Sequence, residues 1–387
     1  MKSTLEVLHL STHNERCGIA IYQQSIVDAM GEEEAIHNVF FDVSPNKLKL
    51  LKGAEFEAVL QKLFKQLEDF DILHIQMEYS FFNDDQLRRI VDGASSKNVK
   101  ILFTLHTPPH ARREHSQTAI VTLNPRSWLS ALRISKARNK FIESYIQPLK
   151  KADCLIVPSQ AAMDSFVAYG VPQSLIKIIE LPVPKPEKGV DSTEITDNLQ
   201  KQPGDVILST FGFIAETKGI IPLIRSLTFL PANYKLAIIG GAHPTGLNDA
   251  FYDQACDLIY GLGLRDRVYI TGYVATDAQR DAFLRETDIC IYAYDRAYYD
   301  YVSSAALNNA VANELPIVAY RNRTFEEANK VAPFITFCQS ANYYEIARTV
   351  KSLDRKEGSD LTAKYAQAVT IEKQAKLFAE VYQQLSS

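Results

Sequence analysis

An α/β fold of two doubly wound, parallel-sheet domains is predicted for this chain by three observations. Apolar runs of strand length alternate with helix-periodic stretches from the start of the chain. A polar segment rich in proline and glycine, PVPKPEKGVDSTEITDNLQKQPG at 182–204, interrupts that alternation near the middle. Beyond it the same pattern begins again, as a restart of architecture without a sequence repeat. A chain of 387 residues is long enough for two domains of about 150 to 200 residues each.

In the first half, strands are expected at 5–10, 71–76, 100–105 and 152–157, and helices at 18–30, 55–68, 84–93, 129–150 and 160–169. The helix at 18–30 carries Ile19, Tyr22, Ile26 and Ala29 on one side. In the second half, strands are expected at 206–210, 235–240, 267–271, 289–294 and 316–320. The last stretch, 361–385, reads as one long amphipathic helix with Ala368, Ile371, Ala375, Phe378 and Tyr382 on a single face. The division expected is a domain at 1–183, a linker at 184–204, a second domain at 205–360 and a terminal helix at 361–387. Open parallel sheets are covered on both faces and bind ligands beyond the carboxyl ends of their strands, so those loops carry the function.

Composition narrows the class. Hydrophobic residues make up 46% and charged residues 23%, which suits globular cores rather than disorder. A formal net charge of −4 gives no electrostatic reason to expect nucleic acid as a partner. The cysteines, Cys17, Cys154, Cys256, Cys290 and Cys338, are odd in number and scattered, as reduced core residues are. The opening MKSTLEVLHLS reads as a first strand rather than a signal peptide, and no run approaches the ~18 apolar residues that span a bilayer. A cytoplasmic protein is expected.

The most informative stretch is VILSTFGFIAETKGIIPLIRSLTFL at 206–230: a buried strand, a turn relaxed by Gly212, then Lys218-Gly219 opening an apolar-periodic helix. Unpartnered N–H groups at a helix start, with the macrodipole and the Lys218 ammonium, favour an anion there. An ordinary strand-to-helix connection with a solvated lysine is the competing reading of these residues alone.

The strings HLSTHNERCGIAIY, DILHIQMEYSFF, TLHTPPH, ADCLIVPSQAAMDSFVAYGV, STFGFIAETKGI, LAIIGGAHP, YITGYVATDAQRDAFLRETDICIYAY and SSAALNNAVANELPIVAY follow one another along nearly the whole chain. Together they resemble the retaining glycosyltransferases of the GT-B fold, in the family 4-like mannosyl- and glucosyltransferase group. The resemblance implies two Rossmann-like domains facing across a cleft, an acceptor-binding N-terminal domain and a nucleotide-sugar-binding C-terminal domain. It also implies a C-terminal helix that returns to the first domain, with a nucleoside-diphosphate sugar as donor substrate and no separate cofactor or metal.

Carried over residue by residue, the resemblance makes Lys218 the contact to the donor diphosphate, where leaving-group charge accumulates. Phe213 stands where the family often has an arginine. Ser303, Ser304 and Ala305 match a Ser-Ser-Gly turn, with Ser303 expected as the cap of a helix running to Asn313 and its free N–H groups toward the phosphates. A pair of glutamates found in many members aligns with Tyr301 and Asn309, so both acids are absent; Asn309 keeps hydrogen-bonding capacity toward a ribose hydroxyl. Glu314 replaces a glycine before Leu315. Tyr273 and Val274 match the backbone site that brackets the base, with Gly240 and Gly241 leaving room beside it. In the first domain, Gly18 matches a glycine that lets backbone approach the phosphates, and Cys17 replaces its partner glycine. His106 matches the histidine near the reacting sugar, with Gln76, Glu78 and Tyr79 ending the neighbouring strand and Glu78 the cleft carboxylate.

Other patterns carry less. His9, His13 and Cys17 are spaced by four, but they run from a strand into a loop, which does not make a metal site. Gly261 and Gly263 follow a helix and lack the third glycine of a dinucleotide fingerprint. No Gly-x-Ser-x-Gly elbow occurs. The densest basic run, Arg112, Arg113, His115, Arg126, Arg133, Lys136, Arg138, Lys140, Lys150 and Lys151, is either a solvated face or a contact for an anionic acceptor or the inner membrane surface. The expected function is transfer of a hexose to a hydroxyl of a glycan or lipid-linked acceptor. A catalytically silent GT-B subunit that supports a partner is the alternative, motivated by Tyr301, Asn309 and Phe213. A nucleotide-sugar epimerase of the same architecture is disfavoured by the shortage of acid and base carboxylates.

Overall fold

The computed structural model describes residues 4–13, 15, 17–31, 35–83, 85–111, 133, 135–242 and 249–387. The chain divides into two compact units, Met1–Glu180 with Ile371–Ser387, and Leu181–Thr370. Each is built on a six-stranded, all-parallel sheet.

The first unit contains β1 (Leu5–Leu10), β2 (Ile36–Phe40), β3 (Ile72–Met77), β4 (Lys100–Leu105), β5 (Cys154–Val157) and β6 (Ile176–Ile178), in the spatial order β2-β1-β3-β4-β5-β6. The central strand β3 is buried at every position, as a strand covered on both faces must be. Leu8, Leu73, Ile75 and Phe103 fill one face, packed with the helices Gly53–Gln66 and Gln86–Ser95. On the other face Val7, Ile72 and Leu102 meet Phe378 and Tyr382 of the helix Ile371–Ser386, which also packs along the helix Gly18–Met30.

The second unit contains β7 (Val206–Phe211), β8 (Tyr234–Ile239), β9 (Val268–Ile270), β10 (Ile289–Tyr292), β11 (Ile317–Ala319) and β12 (Ile335–Phe337), ordered β12-β11-β10-β7-β8-β9. From β7 the chain winds outward through β8 and β9, then returns to β10 on the other side of β7 and winds outward again. The point where strand order reverses therefore lies between β7 and β10, the place where open parallel sheets bind ligands.

Two expectations about elements are corrected. The terminal stretch is two helices, Arg355–Ala368 and Ile371–Ser386, separated at Val369 and Thr370. The run Val369-Thr370-Ile371 is β-branched and poor at continuing a helix, and Val183 N–H bonds the Val369 carbonyl at 2.8 Å. The earlier helix stays in the second unit, where Tyr365 stacks on Phe334 at 4.1 Å; only the later one belongs to the first. The proline-rich segment is not an open linker, because a short helix, Glu194–Asn198, places Ile195 and Leu199 in the core of the second unit. The helix expected at 129–150 is described from residue 135 onward and contains a π-helical stretch, Ile142–Ile146.

Candidate functional site

In the second unit the loop after β7 is shaped by two glycines. Gly212 adopts φ +124°, and a short 3-10 turn, Glu216–Lys218, ends at Gly219 with φ +67°. A Cβ on Gly219 would lie 1.9 Å from the Ala293 carbonyl oxygen, so only glycine lets this loop press against the end of β10. Asp295 N–H closes the contact by bonding the Thr217 carbonyl at 2.9 Å.

That contact delivers Lys218 to a tyrosine pair. Its ammonium donates to the Tyr294 hydroxyl at 3.1 Å and lies 4.5 Å from the Tyr294 ring centre and 5.2 Å from that of Tyr299. The two rings stack at 3.9 Å. Burial brings the Lys218 pKa down from its ordinary value to about 8 and pushes both phenols up, so the tyrosines stay neutral. Tyr294 also reaches the Ser304 hydroxyl at 3.3 Å, and Ser304 Oγ accepts from Leu307 N–H at 3.2 Å to cap the helix Ala305–Ala312. Ser304, not Ser303, is thus the cap, because its hydroxyl is the one aimed at the third residue of the helix. The helix closes with Leu315 N–H on the Ala310 carbonyl and Glu314 N–H on that of Val311, a turn that puts Glu314 at φ +55°. The left-handed conformation explains why glycine would be favoured at that position.

Gly240 and Gly241 end β8, but they do not leave open room. A Cβ at Gly240 would meet the Gly212 carbonyl oxygen at 2.1 Å, and one at Gly241 would lie 3.1 Å from Gly272. The space is filled by backbone, so these glycines let three loops close-pack. Beside them the exposed rings of Phe213 and Tyr273 lie parallel within 15°, their centres 6.2 Å apart. Val274 packs against the core. Asn309 is half-buried on the helix Ala305–Ala312, and its carbonyl accepts from Asn313. Arg323 lies 6.0 Å from the Tyr301 ring centre.

In the first unit, His106 follows β4 and its Nε2 stands 2.7 Å from Gln76 Oε1 at the end of β3. Burial lowers the His106 pKa to about 4, leaving a neutral imidazole at physiological pH. Glu78 bonds Tyr79 N–H at 2.9 Å and accepts from the Thr107 hydroxyl at 2.6 Å, which ties the β3 and β4 loops together. Each carboxylate oxygen of Glu78 thus holds one of these loop contacts. Gly18 opens the helix Gly18–Met30 with no atom within 4 Å of where its Cβ would be, and Cys17 provides no side-chain cap.

Residues 21–184 match the family model described as Glycosyltransferase Family 4, and residues 191–370 match the one described as Glycosyl transferases group 1. The chain belongs to the family 4-like glycosyltransferases. This glycosyltransferase shares its GT-B fold with HepE from Anabaena in complex with UDP, at 15% identity and a TM-score of 0.69 over 98% of this chain and 100% of that one. Sucrose-phosphate synthase from Thermosynechococcus elongatus is similar at 17% identity and a TM-score of 0.67, covering 99% of each chain. A glycosyltransferase from Rickettsia africae ESF-5 has 12% identity and a TM-score of 0.65, over 99% of this chain and 98% of that one. No curated protein matches the chain in sequence.

Of the residues singled out in the sequence of this glycosyltransferase, Lys218 and Ser304 are joined through one tyrosine, and Gly212, Gly240 and Tyr273 lie at adjacent strand ends. His106, Gln76 and Glu78 gather at the ends of β3 and β4. Sequence reasoning missed Tyr294 and Tyr299; the signal available was the tyrosine-rich YAYDRAYYDY at the end of an apolar strand. Of the basic run, Arg112, Arg113, His115 and Arg126 lie outside the described residues, while Arg138 lies 5.3 Å from the Tyr169 ring centre. Among the described residues no helix is long and apolar enough to cross a membrane, and no group of histidine, cysteine or carboxylate side chains could hold a metal ion.

Proposed function

We propose that this glycosyltransferase moves a hexose from a nucleoside-diphosphate sugar to a hydroxyl of a glycan or glycolipid, with retention of anomeric configuration and without a metal ion. The observation that carries the reading is the Lys218 ammonium held against Tyr294, which is in turn bonded to the serine capping the helix Ala305–Ala312. These groups straddle the switch point between β7 and β10, where a diphosphate would be met by a cation and by the free N–H groups of a helix start.

In this reading Lys218 stabilises charge on the departing diphosphate, a role that Phe213 cannot share. Tyr273 and Val274 bracket the base, Asn309 meets the ribose, and His106 faces the transferred sugar. Displacement takes place on one face, with the leaving phosphate oxygen receiving the acceptor proton. UDP-glucose is the first donor to test, because HepE, which has the same fold, has been crystallised with it. The basic residues around Arg138 would meet an anionic acceptor or the inner membrane surface.

The test is calorimetric titration with a panel of nucleoside diphosphates, followed by product analysis with the sugar donor of the tightest binder. The anomeric proton coupling of the product reports retention directly. A second reading, a silent subunit that binds donor or glycan and supports a partner, is favoured by one observation: Tyr301 and Asn309 occupy the positions of the two acids. Donor binding without turnover or hydrolysis, across acceptors, would select it.

A further inference from the structure

Behind His106 an unbroken line of polar side chains crosses the first sheet from β4 to β2. Gln76 Oε1 faces His106 Nε2 at 2.7 Å, and Gln76 Nε2 donates to Gln23 Oε1 and lies 3.2 Å from His74 Nε2. Gln23 Nε2 is 2.8 Å from His9 Nδ1, His9 Nε2 is 2.8 Å from Asn38 Oδ1, and Asn38 Nδ2 ends the line 3.9 Å from the Met30 sulfur. A branch runs from His74, whose Nε2 meets the Thr104 hydroxyl at 2.8 Å and whose Nδ1 meets the Tyr382 hydroxyl of the last helix at 2.7 Å. His9, Gln23, His74 and Gln76 are fully buried.

We propose that Gln76 is a positioning residue that fixes His106 in its Nε2–H tautomer, and that Gln23, His9 and Asn38 fix the direction in which Gln76 faces. An amide oxygen only accepts, so the single proton of a neutral imidazole opposite it must sit on Nε2. Nδ1 is then a bare lone pair, and it makes no hydrogen bond to any described residue. Such an atom can accept from a hydroxyl and cannot donate to one.

The direction is a property of the whole line. In this direction every donor meets an acceptor: Gln76 Nε2 on Gln23 Oε1, Gln23 Nε2 on a deprotonated His9 Nδ1, His9 Nε2–H on Asn38 Oδ1. Turning the Gln76 amide alone would set like groups against each other at buried sites. Turning all three amides and moving the protons on His9, His74 and His106 leaves two mismatches, one at Gln23, whose oxygen would meet a Tyr382 hydroxyl that must donate to His74 Nδ1, and the other at the far end. There Asn38 Oδ1 would face the Met30 thioether, an acceptor against an acceptor. The Tyr382 hydroxyl and the Met30 sulfur at the end of the helix Gly18–Met30 thus select which hydrogen bond His106 offers. That Nδ1 meets a hydroxyl of the transferred sugar rests on the proposed function; the tautomer itself does not.

The test uses the full chain labelled with 15N-histidine and two-bond 1H–15N correlation, without ligand at neutral pH, with His106 assigned from His106→Gln. Wild type is expected to show His106 as a neutral Nε2–H imidazole, with Nδ1 in the unprotonated range. Gln76→Met is expected to give a mixture of tautomers and about a tenfold fall in kcat, the worth of one hydrogen bond, with donor KM changed less. Gln23→Met, one bond further back, is expected to shift the tautomer balance in the same direction. A wild-type His106 that is Nδ1–H or protonated overturns the proposal whether or not the variants fold. So does an unaltered tautomer in folded Gln76→Met and Gln23→Met. A mixed tautomer in Gln76→Met with kcat unchanged would uphold the relay and overturn the placement of His106 beside the sugar.

Discussion

The Lys218 ammonium lies 3.1 Å from the hydroxyl of Tyr294 and 4.5 Å from the centre of the same ring, so one tyrosine holds it both as a hydrogen-bond acceptor and as an aromatic face. Neither contact supplies a full negative charge. Among the described residues the ammonium has no carboxylate partner, and burial lowers its pKa to about 8.

Donor affinity should accordingly depend on pH on the alkaline side. The ammonium is present below about pH 8 and lost above it, so diphosphate binding is expected to weaken as pH rises through that value. The groups facing Lys218, Tyr294 and Tyr299, have pKa values pushed upward and do not titrate there. Folding stability without ligand has the opposite sign. The unfolded lysine keeps its proton up to its ordinary value of 10.5, so the unfolded chain binds more protons between about 8 and that value, and stability rises with pH across it. Calorimetry from about pH 6.5 to about 9.5 checks the first statement, and Lys218→Met, which should flatten the profile and raise ligand-free stability by about 1 kcal/mol, checks the second.

The first unit should be sensitive to acid for the corresponding reason. Burial lowers the pKa values of His9 and His106 to about 4 and that of His74 well below its ordinary value, while in the unfolded chain all three titrate near 6.5. Below 6.5 the unfolded state takes up protons that the folded state refuses, so stability is lost as pH falls from there toward 4. Each imidazole contributes a slope of about 1.4 kcal/mol per pH unit in that window. Urea midpoints at pH 7 and pH 5, above the range in which most carboxylates titrate, should differ clearly; equal midpoints would show that the imidazoles protonate in place.

Glycine substitutions separate close packing from mere looseness. Gly219→Ala and Gly240→Ala must push a Cβ into carbonyl oxygens of Ala293 and Gly212, and both are expected to cost at least about 2 kcal/mol and to weaken diphosphate binding. Gly261→Ala, with nothing within 4 Å and no positive φ, is expected to leave both unchanged or to stabilise slightly. Glu314→Gly should stabilise by about 1 kcal/mol by relieving its left-handed backbone. Thermal midpoints of the four variants, measured together, check the set.

Much of this was legible in the chain because buried parallel strands are written as continuous apolar runs. Strands β1, β4 and β7 begin where the hydrophobic pattern puts them. The strands that went unread, β2, β6 and β12, are edges of their sheets, short and partly exposed, so no such run marks them. Lys218 could be read from its local context, but Tyr294 and Tyr299 could not, because their contact with it depends on β10 lying beside β7. The buried imidazole line was hidden for the same reason: His9, Gln23, Gln76 and His106 come from four separate elements. His9 invited a metal reading together with His13 and Cys17, whereas its ring is spent on Asn38 and Gln23.

Asn309 distinguishes an enzyme from a silent relative. If it faces the ribose, Asn309→Glu supplies a carboxylate that accepts charge-assisted bonds from hydroxyls, and donor affinity should rise without loss of stability. If the position meets no donor, the added charge on a half-buried helix face should lower the thermal midpoint and leave affinity as it was.

Whether the diphosphate of a nucleotide-sugar sits on Lys218 is decided by calorimetric titration of UDP into wild type and Lys218→Ala at pH 7. Wild type is expected to bind, and Lys218→Ala, with its fold retained, to bind about ten- to a hundredfold more weakly, the loss of one charge-assisted contact. Equal affinity in the two proteins would contradict that placement.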